Sequence, residues 1–261
     1  MNERTLPLLS ITSIVVVLYC VGCATVYNPA SGRSQWILFD TASEVAMGRN
    51  VAQKVLQESR VITEGHLYKR VNDIGQRIVQ QVDRRDVPYH FYVIDQNEKN
   101  AFAIPGGYVY LYTGLLQEME TDDEIACVLA HEIGHVVCRH SMQNLQNALG
   151  FQVVSSIVFR KADASEVQRV TNTLFDLTMR GYSRQQEREA DRLTVRYASR
   201  AGYDPRAMIT VLEKLSKDSG PYPRPLEWLS THPSHEERIL LIKQEIERIN
   251  HGNSYGRDLR Q

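Results

Sequence analysis

A single, mostly helical α+β domain is the fold class that this sequence predicts, and three observations predict it. Long stretches repeat apolar residues at spacings of three and four. One short region, residues 89–112, instead alternates and is rich in aromatic and β-branched side chains. Pairs of turn-forming residues separate the two kinds of segment. The 261 residues are 43% hydrophobic and 23% charged, which is enough apolar material for one sizeable core and excludes a disordered, collagen-like or multi-span membrane chain. Lys and Arg number 30 against 31 Asp and Glu, and no segment gathers the basic ones, so nucleic acid is not expected as a partner.

The elements follow in order. Leu6 to Gly22 carries no charge, follows Arg4, and ends in Cys20-Val21-Gly22-Cys23-Ala24. This resembles a bacterial lipoprotein signal, with residues 1–22 removed and Cys23 acylated, palmitate included. Cys20 stands where such signals usually carry Leu, and a retained single-span anchor or plain secretion are the alternatives. All three place the domain outside the cytoplasm, and Ala24 rather than Asp after the cysteine resembles sorting to the outer membrane. Residues 23–40, with Asn28-Pro29 and Ser31-Gly32, read as a tether, and the domain as 41–251.

Helical periodicity covers Ser43 to Ser59 and His66 to Val82; Tyr89 to Asp95 reads as a strand, and Phe102 to Tyr112 as one or two more, broken at Pro105-Gly106-Gly107. A helix opens at Thr121, where Thr121 and Glu124 form a capping box, and runs to at least His140. Leu149 to Phe159 is an apolar run too short to span a bilayer, read as a buried helix or a surface-docking element. Ser165 to Arg200 is helical with an interruption near Gly181, and another helix runs from Asp204-Pro205 to Lys217. The prolines of 220–225 mark a loop, Pro233 starts a last helix, and 252–261 reads as a flexible tail. Cys127 and Cys138, eleven residues apart on one helix, are separated by about 16 Å of rise and cannot bridge each other.

His131-Glu132-Ile133-Gly134-His135 is where the chemistry concentrates. Histidines at i and i+4 lie roughly 40° apart around a helix and one turn apart along it, so both imidazoles reach one ion. Glu132, one residue round, can touch a water on that ion without displacing it, which is what a zinc hydrolase needs of its base. Gly134 costs about 1 kcal/mol in a helix interior, and that cost points to close approach of another element. A third ligand must come from elsewhere. Glu187 and Asp191, again i and i+4, are the best candidates: one to bind metal, the other to hold a ligand imidazole from behind. Read alone, the same turn is a solvated acidic patch pairing with Arg184, Arg188 and Arg192; the histidine motif beside it turns the reading to a ligand.

These motifs, taken in order, resemble the zinc metallopeptidases that include the CAAX prenyl protease and the bacterial HtpX-like enzymes. The resemblance runs through Asn100-Ala101-Phe102-Ala103 with Pro105-Gly106-Gly107, Gly114-Leu115-Leu116, Leu129-Ala130 leading into the histidine motif, Ser183-Arg184 before Glu187 and Asp191, and Thr231-His232-Pro233 with Arg238-Ile239. It implies a gluzincin-type fold whose small sheet sets an edge strand beside the zinc helix. It also implies one Zn2+ per chain on His131, His135 and Glu187, with Glu132 as base and Asp191 and Arg238 behind the ligands. Asn100, Ala101, Phe102 and Ala103 would offer that edge to an extended substrate. His232 would face the zinc from a mobile loop, as an inhibitory ligand or an oxyanion donor.

The leader makes the periplasmic lipoprotein branch the nearest likeness. It implies an endopeptidase of the outer membrane, facing the periplasm and acting on unfolded or misassembled envelope proteins in quality control, with room for a partner in the assembly machinery. A zinc-containing chaperone or binding module with little proteolysis is the alternative. His66, His90, His140 and His251 have no partner by spacing and read as structural or exposed. Cys127 and Cys138 are not expected as ligands.

Overall fold

The computed structural model describes residues 24–158, 163–218, 228–232 and 235–258. The leader, Cys23, Phe159, the proline stretch 220–225, Pro233 and the last three residues lie outside them.

Two strands, β1 (Ala24–Asn28) and β2 (Arg33–Ile37), pair as an antiparallel hairpin. Helix α1 (Thr41–Glu58) starts on an Asp40 cap whose side chain accepts from the Ser43 N–H. After the short β3 (Val61–Ile62) come α2 (Gly65–Val79), β4 (His90–Ile94), β5 (Ala101–Ile104) and β6 (Tyr108–Tyr112). Gly106 and Gly107 both have positive φ, 79° and 89°, and carry the β5–β6 turn. The single turn α3 (Thr113–Gln117) leads to α4 (Asp122–Val137), α5 (His140–Val158), α6 (Ala164–Arg180), α7 (Arg184–Arg200), α8 (Ala207–Asp218), α9 (Trp228–Thr231) and α10 (His235–Asp258). Gly150, at φ 71°, interrupts α5.

The sheet order is β3-β4-β6-β5, with β4 and β6 parallel and β5 antiparallel to β6. Alternation along its strands divides the interior in two. Phe91, Val93, Ala101, Ala103, Val109 and Leu111 face a core shared with α2, α4, α7 and α8. Phe102, Ile104, Tyr108, Tyr110 and Tyr112 face a second core with α1, α5 and α6. Burial on both faces explains why 101–112 reads as a nearly unbroken apolar run. On β5 the residues turned toward α4 are both alanines, and their small side chains let that helix lie close against the sheet edge. No helix among the described residues is long and apolar enough to cross a membrane.

Three sequence expectations change. Residues 24–40, read as a tether, contain the hairpin, and Asn28, Ile37 and Phe39 are buried in the domain. Exposure alternates along β1 and β2, but Tyr27 and Trp36 lie on the exposed side and Gln35 on the covered one, so polarity does not register it. Helix α4 stops at Val137 rather than continuing through His140, because Arg139 adopts φ 56° and turns the chain. Arg139 is held there by Glu44, Asp86 and Thr41, while Arg84 forms a bidentate pair with Glu44 and donates to Val136 O at the helix end. Finally, α10 continues to Asp258, past the point read as a frayed tail.

Candidate metal centre

Two helices with closed N-termini carry the cluster. Thr121 and Glu124 form a capping box on α4, and Ser183 and Gln186 form another on α7. They cross where Gly134 meets Ala190: a Cβ on Gly134 would lie 3.1 Å from Ala190 Cα. The glycine therefore does what its cost in a helix implies, and its absent side chain lets the two i, i+4 pairs face each other.

His131, His135, Glu187 and His232 converge, with one ligand atom of each inside a sphere of contacts no wider than 4.8 Å. His131 Nε2 and His135 Nε2 are 3.1 Å apart, and Glu187 Oε2 and Oε1 lie 3.5 Å from them respectively. Both imidazoles turn their Nδ1 atoms outward to other partners, so two Nε2 atoms and a carboxylate face inward. That donor set fits zinc. None of the four is more than 1% exposed.

Each ligand is supported from behind, by different means. His131 Nδ1 lies 3.1 Å from Asp191 Oδ1, and Arg238 grips both Asp191 oxygens at 2.8 Å. Burial and the Arg238 charge depress the basicity of His131, but its bonds to Asp191 and Glu187 outweigh them and lift its pKa to about 9. Burial tends to raise Glu187, yet the charges of His232 and Arg238 hold it well below the usual carboxylate range. His135 Nδ1 instead meets His140 Nδ1 at 2.8 Å, and its ring stacks on Tyr182 with centroids 3.7 Å apart. Burial and the neighbouring His131 keep its pKa well below the ordinary value.

The remaining side is covered by α9. Trp228 N donates to Lys99 O at 2.7 Å and Tyr182 N donates to Thr231 O at 3.1 Å, so the turn is stitched to both the sheet and the approach to α7. Trp228 Nε1 donates to Glu132 Oε1 at 3.0 Å, while Glu132 Oε2 is buried with no hydrogen-bond partner. His232 Nδ1 sits 2.9 Å from Glu187 Oε1 and 3.3 Å from His131 Nε2.

Strand β5 is the sheet edge, whereas β6, grouped with it in the sequence reading, is internal. Lys99 O, Ala101 N and Ala103 O at that edge already meet Trp228, Asn100 Oδ1 and the Tyr182 hydroxyl. An extended peptide could pair here only after α9 and Tyr182 give way.

The structure thus brings together Glu132, His131, His135, Glu187, Asp191, Arg238 and His232, and sets Asn100 to Ala103 beside them. Cys127 and Cys138 are free, buried thiols outside the cluster. Sequence reasoning missed His140, Glu189, Tyr182 and Trp228. His140 follows His135 by five residues, a spacing that a continuous helix would point elsewhere; the Arg139 turn brings it back. A tyrosine directly before the Ser183 cap and a tryptophan beside Thr231-His232 were visible, but nothing in their spacing marked them.

The profile of "Peptidase family M48" matches residues 66–246. The chain is 32% identical over 220 residues to the "Beta-barrel assembly-enhancing protease" of Escherichia coli (strain K12), covering 81% of this chain and 45% of that protein. It is 31% identical over 225 residues to the "Mitochondrial metalloendopeptidase OMA1" of Schizosaccharomyces pombe, covering 84% of this chain and 65% of that one. The protein of the same name from Arabidopsis thaliana is 35% identical over 159 residues, 60% of this chain and 32% of its own length. This chain spans less than half the length of the bacterial relative. With a profile match reaching from α2 to α10 and passing through every residue of the cluster, the chain belongs to peptidase family M48.

Proposed function

We propose that the protein is a zinc-dependent endopeptidase of the cell envelope, one Zn2+ per chain, hydrolysing unfolded or misassembled envelope proteins. We further propose that acylated Cys23 anchors it to the outer membrane, facing the periplasm. The observation that carries the activity is the meeting of His131, His135 and Glu187, with Glu132 beside them, its Oε1 3.5 Å from His232 Nε2. The leader supports the anchor, and the printed name of the bacterial relatives, which speaks of β-barrel assembly, supports the substrate class.

His131, His135 and Glu187 would hold the ion. When bound, zinc supplies a Lewis acid that polarises the scissile carbonyl and makes water acidic enough to attack near neutral pH. The protein does the rest. Trp228 occupies Glu132 Oε1, which leaves the unpartnered Oε2 as the proton acceptor. Glu132 takes the proton of the attacking water there and delivers it to the departing amine. Strand β5 orients the peptide by main-chain pairing once its edge is uncovered. His232, with Nδ1 3.3 Å from His131 Nε2 and 2.9 Å from Glu187 Oε1, would act as an inhibitory ligand to a bound ion, and an imidazole so close to the reacting centre would serve as an oxyanion donor once displaced.

The complete burial of the cluster also favours a second reading, a zinc-containing chaperone or binding module with little proteolysis. One experiment separates them: cleavage of an unfolded envelope protein by the purified enzyme, with and without a chelator. Chelator-sensitive products are expected, and tight substrate binding without products would favour the module. Cys23→Ser should abolish lipid labelling and release the protein from the membrane fraction; retention without labelling of the parent would point to a spanning anchor.

A further inference from the structure

We propose that His140 is a positioning residue of the metal centre, and that it sets His135 as a ligand through a hydrogen-bond chain ending in the N-terminal hairpin at Asn28. This inference rests on the zinc reading above.

Geometry orders the donors and acceptors along the chain, starting from the hairpin. Asn28 Oδ1 accepts from the backbone N–H groups of Ala30 and Ser31, at 2.9 and 3.1 Å, so its amide nitrogen must be the atom turned to Glu189 Oε2, at 2.6 Å. Gln185 Nε2 donates to the other Glu189 oxygen at 2.7 Å. With donors on both oxygens, Glu189 is an acceptor. His140 Nε2, 3.2 Å from Glu189 Oε2, therefore carries a hydrogen, which in a neutral imidazole leaves the lone pair on His140 Nδ1. That lone pair faces His135 Nδ1 at 2.8 Å, so the hydrogen between the two rings belongs to His135. His135 Nε2 is then left with its lone pair toward His131 and Glu187, the form that binds a metal.

His131 reaches its carboxylate, Asp191, in one step. His135 needs an intervening imidazole, because Arg139 turns the chain and places His140 rather than an acid beneath it. The extra link extends the support to β1, so the hairpin that opens the described domain is part of the metal centre. Cys138, His140 and Glu189 also lie close enough to hold an ion of their own. Their polar atoms are already spent on one another and on Asn28, which favours the hydrogen-bond chain.

The test uses the full-length protein, with zinc affinity from competition with a chromophoric chelator and the visible spectrum of the cobalt-substituted form. A folded His140→Ala should bind zinc roughly 10- to 100-fold more weakly, the usual scale for an outer partner of a ligand histidine, with an altered cobalt spectrum. His140→Gln, which restores an acceptor for His135, should recover most of both, and Asn28→Ala should show a smaller loss in the same direction. Parent-like affinity and spectrum in folded His140→Ala would overturn the proposal, as would two zinc ions per parent chain. If His140→Ala does not fold, Glu189→Gln decides on the same two readouts. A parent that binds no zinc defeats the metallopeptidase reading first, an outcome seen before any variant is made.

Discussion

His131, Glu132, His135 and Glu187 stand on two long helices whose starts are closed by capping boxes and whose contact is fixed by Gly134 against Ala190. Trp228 and His232 arrive on and just after a single helical turn, joined to its surroundings by backbone hydrogen bonds to Lys99 and from Tyr182. A long helix satisfies most of its own backbone and keeps its shape when neighbours shift; a lone turn depends on those neighbours for its place. One half of the centre stands on its own helices, and the other is held in place by its contacts, with Trp228, Thr231 and His232 all buried.

Variants can break or sharpen this division. The largest effect belongs to Glu132→Gln, which should lower the cleavage rate about 10²- to 10⁴-fold, the range for a lost general base, while zinc content stays that of the parent. Loss of zinc together with activity would make Glu132 structural.

His232→Ala should cleave unfolded substrate several-fold faster and cut itself, because the fourth position is freed. A fall of about 10² to 10³ in rate at unchanged substrate affinity would mean that its oxyanion role dominates. An unchanged rate would remove His232 from both.

Gly134→Val tests the rigid half. Its added carbons meet the Ala190 backbone, and overpacking of this kind costs about 1–3 kcal/mol, read as a lower melting temperature with weakened zinc binding. Parent-like values would show that α4 and α7 are free to separate.

The smallest effect is one of pH. Burial tends to raise Glu189, but hydrogen bonds from His140, Gln185 and Asn28 prevail and bring its pKa to about 2 from an ordinary 4.5. A depressed carboxylate contributes stability above pH 4.5 and loses it as the pH falls toward 2. Glu189→Gln should flatten that part of the stability profile, and an unchanged slope would locate the acid sensitivity elsewhere.

The rigid half was legible because helical spacing is a local property. The i, i+4 pairs, the Thr121 box and the cost of Gly134 each follow from a few adjacent residues, and together they forecast two facing helices. The α+β class was legible for the same reason, whereas the sheet edge was placed through likeness to a family. What spacing could not supply was anything that depends on a change of chain direction. Arg139 at φ 56° is invisible in a residue type that rarely adopts it, so α4 was drawn too long and His140 was left without a partner. The hairpin strands set Tyr27 and Trp36 on the exposed side, so their alternation did not stand out from a tether, which hid Asn28. Trp228 and Tyr182 act through contacts across about 100 and 50 residues of sequence, and His232 was placed only through likeness to a family.

Zinc content measured side by side in the parent, Glu187→Ala and His232→Ala tests the division most directly. One zinc per chain is expected in the parent and in His232→Ala, with little or none in folded Glu187→Ala. Retention of zinc by Glu187→Ala, or its loss from His232→Ala, would contradict the account, because the ion would then be held from the His232 side of the site rather than by the two long helices.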